Sequence, residues 1–297
     1  MTRSRRIRIA ALLALVALLI AGGFSFQRKK TSELPVYLLG AERMVEGEEI
    51  YRLSEPKPFT YPPFFALALV PMTVFPEPLQ RPVWYIVQLL LLGAVLWIAV
   101  RFLRDFSPDF ATLDRRRRIW SVVLVVLICG RFVMAVFSNQ SHDLIILLLV
   151  AATAFDSARG RDLRAGIWAG LAAACKATPL LFLPIFLLQR RWRASAALAV
   201  ALLAASFLPD LILPRAEGGS WAFAWKERVV QRVDPSGTAD VGSAFSRWNP
   251  LNQNLAGSIY RVTTQGEQAP KGFEYVEVAP WAFPTGLQRA VTVGLQV

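Results

Sequence analysis

The sequence predicts an all-α, multi-pass membrane protein. Of its 297 residues, 55% are hydrophobic and only 18% are charged, and the mean hydropathy is +0.41. A soluble domain usually contains about a quarter charged residues, so this chain has too few for a soluble surface. Long apolar runs recur along the chain, and arginine clusters separate several of them. Lipid must therefore solvate much of the apolar surface, and helices satisfy the backbone in that environment.

The apolar runs are the predicted membrane segments. Residues 9–27 follow a short arginine-rich stretch, so we expect a signal anchor with its N-terminus in the cytoplasm. Residues 286–297 begin a run of about half the length of a span, so we expect the chain to stop inside a helix and the intact protein to contain more segments. The runs between them are Tyr61 to Phe75, Pro82 to Val100, Ile119 to Phe137, Leu144 to Phe155, Ala165 to Gln189 and Ala194 to Leu213.

The net charge of +12 is best read as a signal of topology, not of nucleic-acid binding. Arginine clusters within 101–118, 159–164 and 190–193 predict the cytoplasmic side of the membrane. This orientation requires that 61–75, which is short and proline-rich, either does not cross the bilayer or forms a hairpin. It also requires that 165–189 breaks into two half-helices at Lys176. A first loop at 28–60, a turn at 138–142 and a long loop at 214–285 then lie outside, within one membrane domain spanning 1–297.

Several classes of site are excluded by composition. Two cysteines in apolar stretches and one histidine cannot supply a disulfide framework or a four-ligand zinc site. No glycine-rich phosphate loop is present. His142 follows Ser141 and precedes Asp143, but no nucleophile elbow accompanies them, which argues against a serine hydrolase.

Lys176 is the clearest anomaly, because it lies in the middle of about 25 residues that are otherwise uncharged. A lysine at that depth costs a few kcal/mol in lipid, so it should face a cavity or a partner. We interpret it as a cation for a phosphate or another anion, beside a helix break at Pro179. The alternative is that it extends to the interface from a helix end. Arg131 raises the same question, although it lies only seven residues before Ser138 and can reach the outer interface unaided.

Polar residues of the predicted outer loops are the remaining candidates. Glu33 is the best candidate for a general base, and its alternative is a solvated loop acid. The segment 139–143 can hydrogen-bond sugar hydroxyls, or Ser141 or Asp143 can simply cap the following helix. Asn252, Gln253 and Asn254 form a second amide-rich turn, for which ordinary turn chemistry is the alternative.

Taken together, these segments resemble glycosyltransferase family 87, the polyprenol-phosphate-mannose-dependent mannosyltransferases of the GT-C superfamily. The Tyr-Pro-Pro-Phe-Phe and Lys-x-Thr-Pro pieces carry most of the resemblance, and all pieces occur in family order. They are Glu33-Leu34-Pro35-Val36-Tyr37, where the family usually reads Asp-Phe-x-x-Tyr, then Tyr61-Pro62-Pro63-Phe64-Phe65-Ala66-Leu67, Asn139-Gln140, Gly160-Arg161 leading to residues 170–179, Arg190-Arg191-Trp192-Arg193-Ala194, and Asn252-Gln253-Asn254-Leu255.

The resemblance implies a GT-C-like helical bundle in a bacterial inner membrane, with its catalytic face outside. It implies inverting transfer of a hexose, mannose by preference, from a polyprenyl-phosphate donor to a glycolipid, glycan or protein acceptor. Glu33 then matches the base, while Lys176, aided by Arg131, matches the cation for the lipid phosphate. No metal and no cofactor are expected. The implied substrate-binding residues are Tyr37, Tyr61, Asn139, Gln140, His142, Asp143, Asn252, Gln253 and Asn254.

Two positions depart from the family pattern. Glu33 replaces an aspartate, which lengthens the proposed base by one methylene, and His142-Asp143 stands where a small polar residue and an asparagine are common. A function from another class also fits the residues, namely a transporter or flippase that uses Lys176 and Arg131 as cations at a broken helix. Inverted repeats would favour transport, and none is evident in the sequence.

Overall fold

The computed structural model describes residues 32–232, apart from the side chains of residues 122, 126 and 232. Every regular element in this range is helical, which confirms the predicted all-α class. The predicted anchor at 9–27, the last run at 286–297 and the amide-rich turn at 252–254 lie outside the described residues. The helices are α1 (Leu34–Val45), α2 (Pro63–Thr73), α3 (Glu77–Phe106), α4 (Pro108–Thr112), α5 (Arg115–Asn139), α6 (Asp143–Ala158), α7 (Asp162–Cys175), α8 (Phe182–Leu188), α9 (Trp192–Ile212) and α10 (Trp221–Arg228), with 3₁₀ turns at Thr178–Leu181 and Val230–Arg232.

The described residues divide into two compact units. The first contains 32–48 together with Tyr61–Ala216, and the second contains Glu49–Thr60 together with 217–232. In the first unit α7 packs between α6 and α9, α3 packs on the far side of α6, and α1 packs against α2. Because α6 and α7 are joined by a short connection, they run antiparallel, and the start of α6 lies beside the end of α7.

The close contact between α7 and α9 depends on a stripe of small residues. A Cβ atom on Gly166 would lie 2.3 Å from the Ala194 carbonyl oxygen, and one on Gly170 would lie 2.6 Å from the Leu198 carbonyl oxygen. Both glycines therefore allow the two backbones to approach, as small residues four apart do in membrane helices. The neighbouring Ala169 is fully buried in the same interface.

Two helices of the described part are long and apolar enough to cross a membrane, namely α3 and α9. A third, α5, qualifies if the two halves that meet near residue 126 at 49° are counted as one span. Large side chains such as Leu90 on α3 and Leu211 on α9 are exposed, as expected for surfaces in contact with lipid. The predicted run Leu144 to Phe155 forms α6, which at 16 residues is about 24 Å long and shorter than a typical span.

Both irregular segments that the charge pattern required are present. The run Tyr61 to Phe75 forms the 11-residue helix α2, which at about 16 Å is too short to cross the hydrocarbon core. The run Ala165 to Gln189 breaks where predicted, since α7 ends at Cys175 and Lys176 adopts an extended backbone. A 3₁₀ turn containing Pro179 then leads into α8.

Some of the arginines that predicted the cytoplasmic side are also structural. Asp156 near the end of α6 is 2% exposed, and its carboxylate accepts a hydrogen bond from Trp168 Nε1 at 3.0 Å. The same carboxylate lies 3.2 Å from Arg164 Nε and 3.4 Å from Arg161 Nη1. Arginines thus neutralise a carboxylate whose burial would otherwise be costly. Further pairs join Arg191 to Asp162 and Arg159 to Asp105.

In the second unit, α10 begins at Trp221 and Ser220 caps it through its hydroxyl. Trp221 at the start of α10 and Val229 just after its end are buried inside the protein. The Trp225 indole N–H donates to the Thr60 carbonyl at 3.0 Å. The indoles of α10 are therefore used for packing within the protein.

Candidate functional site

Four rings form a cluster in the first unit, beside the start of α6. The hydroxyl group of Tyr37 on α1 forms a hydrogen bond with His142 Nδ1 at 2.9 Å. The ring centroids of Tyr61 and Phe65 lie 4.6 and 4.4 Å from that of His142. Tyr37, Phe65 and His142 are almost fully buried. Segments far apart in sequence thus assemble one aromatic site that has hydroxyl and imidazole groups at its centre.

The polar groups of this cluster are neutral at physiological pH. Burial raises the pKa of Tyr37, and the nearby Tyr61 and Glu33 raise it further. Burial also raises the pKa of Tyr61 to about 12. Burial lowers the pKa of His142 to about 4, with a further contribution from the charge of Lys176, against the opposing effect of Asp143. The cluster therefore presents hydrogen-bonding groups without charge.

The turn between α5 and α6, which carries His142, is held by side chains from α3. Gln140 adopts a left-handed conformation with φ of 53°, and its carbonyl accepts a hydrogen bond from Trp84 Nε1 at 3.0 Å. Gln88 Nε2 donates to the Ser141 carbonyl at 2.8 Å. Both α3 side chains are buried, so they fix the backbone of the turn. Sequence reasoning missed them, although Gln88 is the one amide in the apolar run Pro82 to Val100 and Trp84 shares its helix face.

Asp143 at the start of α6 pairs with Lys176 at the end of α7. The Lys176 ammonium lies 2.8 Å from Asp143 Oδ1, and the Ser141 hydroxyl donates to Asp143 Oδ2 at 2.8 Å. Burial raises the pKa of Asp143, but the hydrogen bond and charge of Lys176 outweigh it and hold the pKa below its usual value. Both side chains of the pair remain partly exposed.

The predicted capping role of this segment is wrong. The N-cap of α6 is His142, and no side chain makes a capping hydrogen bond there. The Ser141 hydroxyl donates a hydrogen bond to Asp143. The Asp143 carboxylate also accepts one from Lys176, instead of from the free N–H groups of the helix. Asp143 still lies in the first turn, where its negative charge suits the helix dipole.

An apolar groove of about 370 Å³ opens beside Lys176. Its walls come from α6 and from the segment that follows the break at Lys176. Apart from the ammonium group and the Thr178 hydroxyl, the lining is aliphatic or aromatic. The lining residues are Ile146, Val150, Lys176, Thr178, Pro179, Leu181, Phe182 and Ile185.

Glu33 lies at the start of α1 and close to the aromatic cluster. Its backbone N–H donates to the Asn139 carbonyl at 2.8 Å, which ties the start of α1 to the end of α5. Its carboxylate is near enough to Tyr37 and Tyr61 to raise the pKa of both hydroxyls. The structure therefore places Glu33 beside Tyr37 of the same helix and Tyr61 of the segment before α2.

Not every predicted residue comes to this site. Arg131 lies on an exposed part of α5, two turns before Asn139, and within residues 32–232 it forms no ion pair or hydrogen bond. The side chain of Asn139 is exposed, whereas that of Gln140 is buried. In the same described part, no group of three or more His, Cys, Asp and Glu side chains could hold a metal ion.

The neutral state of His142 predicts a specific loss of stability in acid. Because its folded-state pKa is about 4, against about 6.5 in an unfolded chain, the folded state binds fewer protons between these values. The free energy of unfolding should therefore fall by about 3 kcal/mol as the pH is lowered from 6.5 to 4. Above about pH 6.5 the titration of His142 should leave it constant. Thermal unfolding in detergent at stepped pH measures it. The chain contains one histidine, so His142→Gln should flatten this part of the profile, and an identical slope in the variant would contradict the assignment.

The fold and the site together define a class of protein: an all-helical membrane protein that gathers a carboxylate, a cation and a buried aromatic cluster where α6 begins and α7 ends. The chain belongs to glycosyltransferase family 87, whose sequence pattern matches residues 59–282.

Curated relatives are consistent with this membership. A polyprenol-phosphate-mannose-dependent alpha-(1-2)-phosphatidylinositol mannoside mannosyltransferase of Mycobacterium tuberculosis is 27% identical over 245 residues, which cover 78% of this chain and 54% of the relative. Its namesake in Mycolicibacterium smegmatis is 26% identical, covering 77% and 52%. A pentamannoside mannosyltransferase of the latter organism is 26% identical, covering 86% and 59%. The chain thus spans about half the length of these relatives, and no solved structure matches it.

Proposed function

We propose that this chain forms the donor-binding and catalytic part of a membrane glycosyltransferase, which moves mannose from a polyprenyl-phosphate donor to an acceptor at the extracytoplasmic face. Family membership supports transfer over the transport alternative. The relatives named above use polyprenol-phosphate-mannose and act on phosphatidylinositol mannosides, so a glycolipid is the acceptor we favour. The observation that carries the proposal is the position of the Lys176 ammonium beside an apolar groove and next to the aromatic cluster.

The groove and the lysine suit the two chemically different parts of such a donor. A polyprenyl chain is apolar, so burying it against Ile146, Val150 and Phe182 is favourable by the hydrophobic effect. The phosphodiester is anionic, and an ammonium group is a point-charge donor for phosphate oxygens. Lys176 is partly exposed and has N–H donors beyond the one directed at Asp143, so it can bind phosphate from the groove.

The transfer step then uses Glu33 as the base. The acceptor hydroxyl oxygen forms a bond to the anomeric carbon while its proton passes to the Glu33 carboxylate. The bond between the anomeric carbon and the phosphate oxygen breaks, and its electron pair stays on that oxygen. Lys176 stabilises the negative charge that develops on the phosphate. Because the acceptor attacks from the side opposite the phosphate, the anomeric configuration inverts.

The buried rings position the sugar in this scheme. Tyr61 is partly exposed and neutral, so it can hydrogen-bond a sugar hydroxyl directly without competing for the charged phosphate. Tyr37 and His142 are buried behind it, and their proposed role is to hold Tyr61 in the orientation that meets the sugar. The exposed amide of Asn139 and the amides of Asn252, Gln253 and Asn254 are proposed to extend the same surface toward the acceptor. Arg131 retains a proposed role only as a second cation at the outer interface.

The proposed setting is the inner membrane of a bacterium, with the N-terminus in the cytoplasm and a GT-C-like bundle that places the site outside. The loops proposed to lie outside are 28–60 and 214–285. Glu33 and the turn at 138–142, which meet in the structure, fall on the same proposed side. A single side for all candidate residues is what catalysis at a membrane surface requires.

The experiment that tests the proposal measures mannosyl transfer by the purified protein as a function of polyprenyl-phosphate-mannose concentration. Lys176→Gln should raise the donor KM by roughly tenfold to a hundredfold, since a hydrogen bond to a charged group contributes about 1.5–3 kcal/mol. Lys226→Gln is the matched control, because Lys226 is an exposed lysine of α10, and it should behave as the wild type. An unchanged donor KM in Lys176→Gln would remove Lys176 from the phosphate site. No transfer by the wild type would overturn the proposed function for this chain.

A further inference from the structure

Asp143 is a carboxylate placed directly on the proposed phosphate-binding cation. Its Oδ1 lies 2.8 Å from Lys176 Nζ, and its Oδ2 accepts the Ser141 hydroxyl at 2.8 Å. The pair carries almost no net charge, although a bare ammonium group would bind an anion more strongly. Nothing in the transfer step itself requires this second carboxylate, because Glu33 accepts the proton.

The charges of the donor and the lipid product suggest what Asp143 does. The donor phosphodiester carries one negative charge. The product is a phosphate monoester, which carries about −1.5 to −2 at neutral pH. An isolated cation therefore attracts the product more strongly than the donor, so an enzyme with Lys176 alone would tend to retain the product.

We propose that Asp143 counteracts this retention by repelling the more highly charged lipid phosphate product, so that it sets the preference of the Lys176 site for donor over product. This inference rests on the proposed function. The repulsion acts on both lipids, but it grows with the charge on the phosphate and is therefore greater for the monoester. Ser141 holds Asp143 in place, which keeps its charge next to the ammonium group when phosphate enters.

Among the titratable groups described around Lys176, Asp143 is the one whose negative charge acts directly on the ammonium group. His142 is buried and neutral. Tyr37 and Tyr61 are neutral as well. Glu33 acts on the two tyrosine hydroxyls and belongs to the transfer step, whereas Asp143 contacts the ammonium group directly.

Direct binding tests the inference without requiring turnover. The probes are a short-chain polyprenyl phosphate and its methyl diester, titrated at neutral pH into the purified full chain in detergent, with Kd read from intrinsic tryptophan fluorescence. Asp143→Asn should lower the Kd of the monoester by roughly tenfold and the Kd of the diester by roughly threefold. Changes of this size are expected when one charge is removed from a partly exposed site. The ratio of the two Kd values should therefore shift by about threefold.

Two controls separate charge from structure. Asp143→Glu retains the negative charge and should retain the wild-type ratio of Kd values. Asp109→Asn removes an exposed carboxylate from α4, and it should also leave the ratio unchanged. A ratio in Asp143→Asn equal to that of the wild type would overturn the inference while leaving the proposed function intact. If the wild type binds neither lipid, both the inference and the proposed function fail.

Kinetics provide the second measurement. Added polyprenyl phosphate should inhibit mannosyl transfer more strongly in Asp143→Asn than in the wild type, with an inhibition constant roughly tenfold lower. Progress curves of the variant should slow earlier as product accumulates. Equal inhibition constants for the two proteins would contradict a role of Asp143 in product release.

Discussion

Replacing Glu33 by Gln should lower kcat for mannosyl transfer by roughly 10²- to 10⁴-fold, because a general base contributes about this much to a proton transfer. The glutamine side chain has nearly the same shape but accepts no proton. The hydrogen bond from residue 33 to the Asn139 carbonyl involves the backbone N–H, so the start of α1 should remain intact. The donor KM should stay close to that of the wild type, since the change removes an interaction made in the transition state.

The matched control is Glu42→Gln, which removes an exposed carboxylate from the same helix. This variant should transfer mannose at the wild-type rate. Steady-state rates at saturating donor and acceptor measure the effect, and thermal unfolding of each variant checks that it is folded. Wild-type kcat in a folded Glu33→Gln protein would contradict the role of Glu33 as the base.

Replacing Gly170 by Leu should destabilise the packing of α7 against α9. Even the first carbon of the new side chain would lie 2.6 Å from the Leu198 carbonyl oxygen and 2.7 Å from the Ala201 methyl group. These are backbone and short side-chain atoms that cannot rotate away, so α7 and α9 must separate. Overpacking of this kind costs roughly 1 to 3 kcal/mol. Lys176 is six residues further along, at the end of α7, so donor affinity should fall as well.

Gly130→Leu provides the control for adding a leucine to a membrane helix. No described atom lies within 4 Å of a Cβ placed on Gly130, so this variant should unfold at nearly the wild-type temperature. Thermal unfolding in detergent compares the two variants. Equal unfolding temperatures for Gly170→Leu and the wild type would show that α7 and α9 are not in such close contact.

Much of the helical layout could be predicted from composition and charge. Proline and short length identified 61–75 as a helix too short to cross, and Lys176 with Pro179 identified the break that ends α7. Both signals are local, because proline removes a backbone donor and lysine is costly in lipid. The sequence also pointed to Glu33, Tyr37, Tyr61 and His142, which the fold brings to one place.

The contacts between distant segments could not be predicted. No sequence pattern paired Asp143 with Lys176, which are 33 positions apart, and the local pattern instead favoured Ser141 or Asp143 as a helix cap. The two α3 side chains that hold the turn at 140–141 act across more than 50 positions. For Arg131 the sequence left open a cation role or simple extension to the interface, and the helix packing that leaves its side chain exposed could not be predicted.

The central claim is that the lipid-phosphate donor binds in the groove beside Lys176, and photo-crosslinking tests it most directly. A polyprenyl-phosphate-mannose with a diazirine on its first isoprene unit is irradiated with the purified protein, and adducts are located by peptide mass spectrometry. Adducts should fall on groove residues such as Ile146, Val150 or Phe182, and should be lost with excess polyprenyl phosphate and in Lys176→Gln. Adducts confined to exposed residues of α5 such as Phe132, and unchanged in Lys176→Gln, would contradict it.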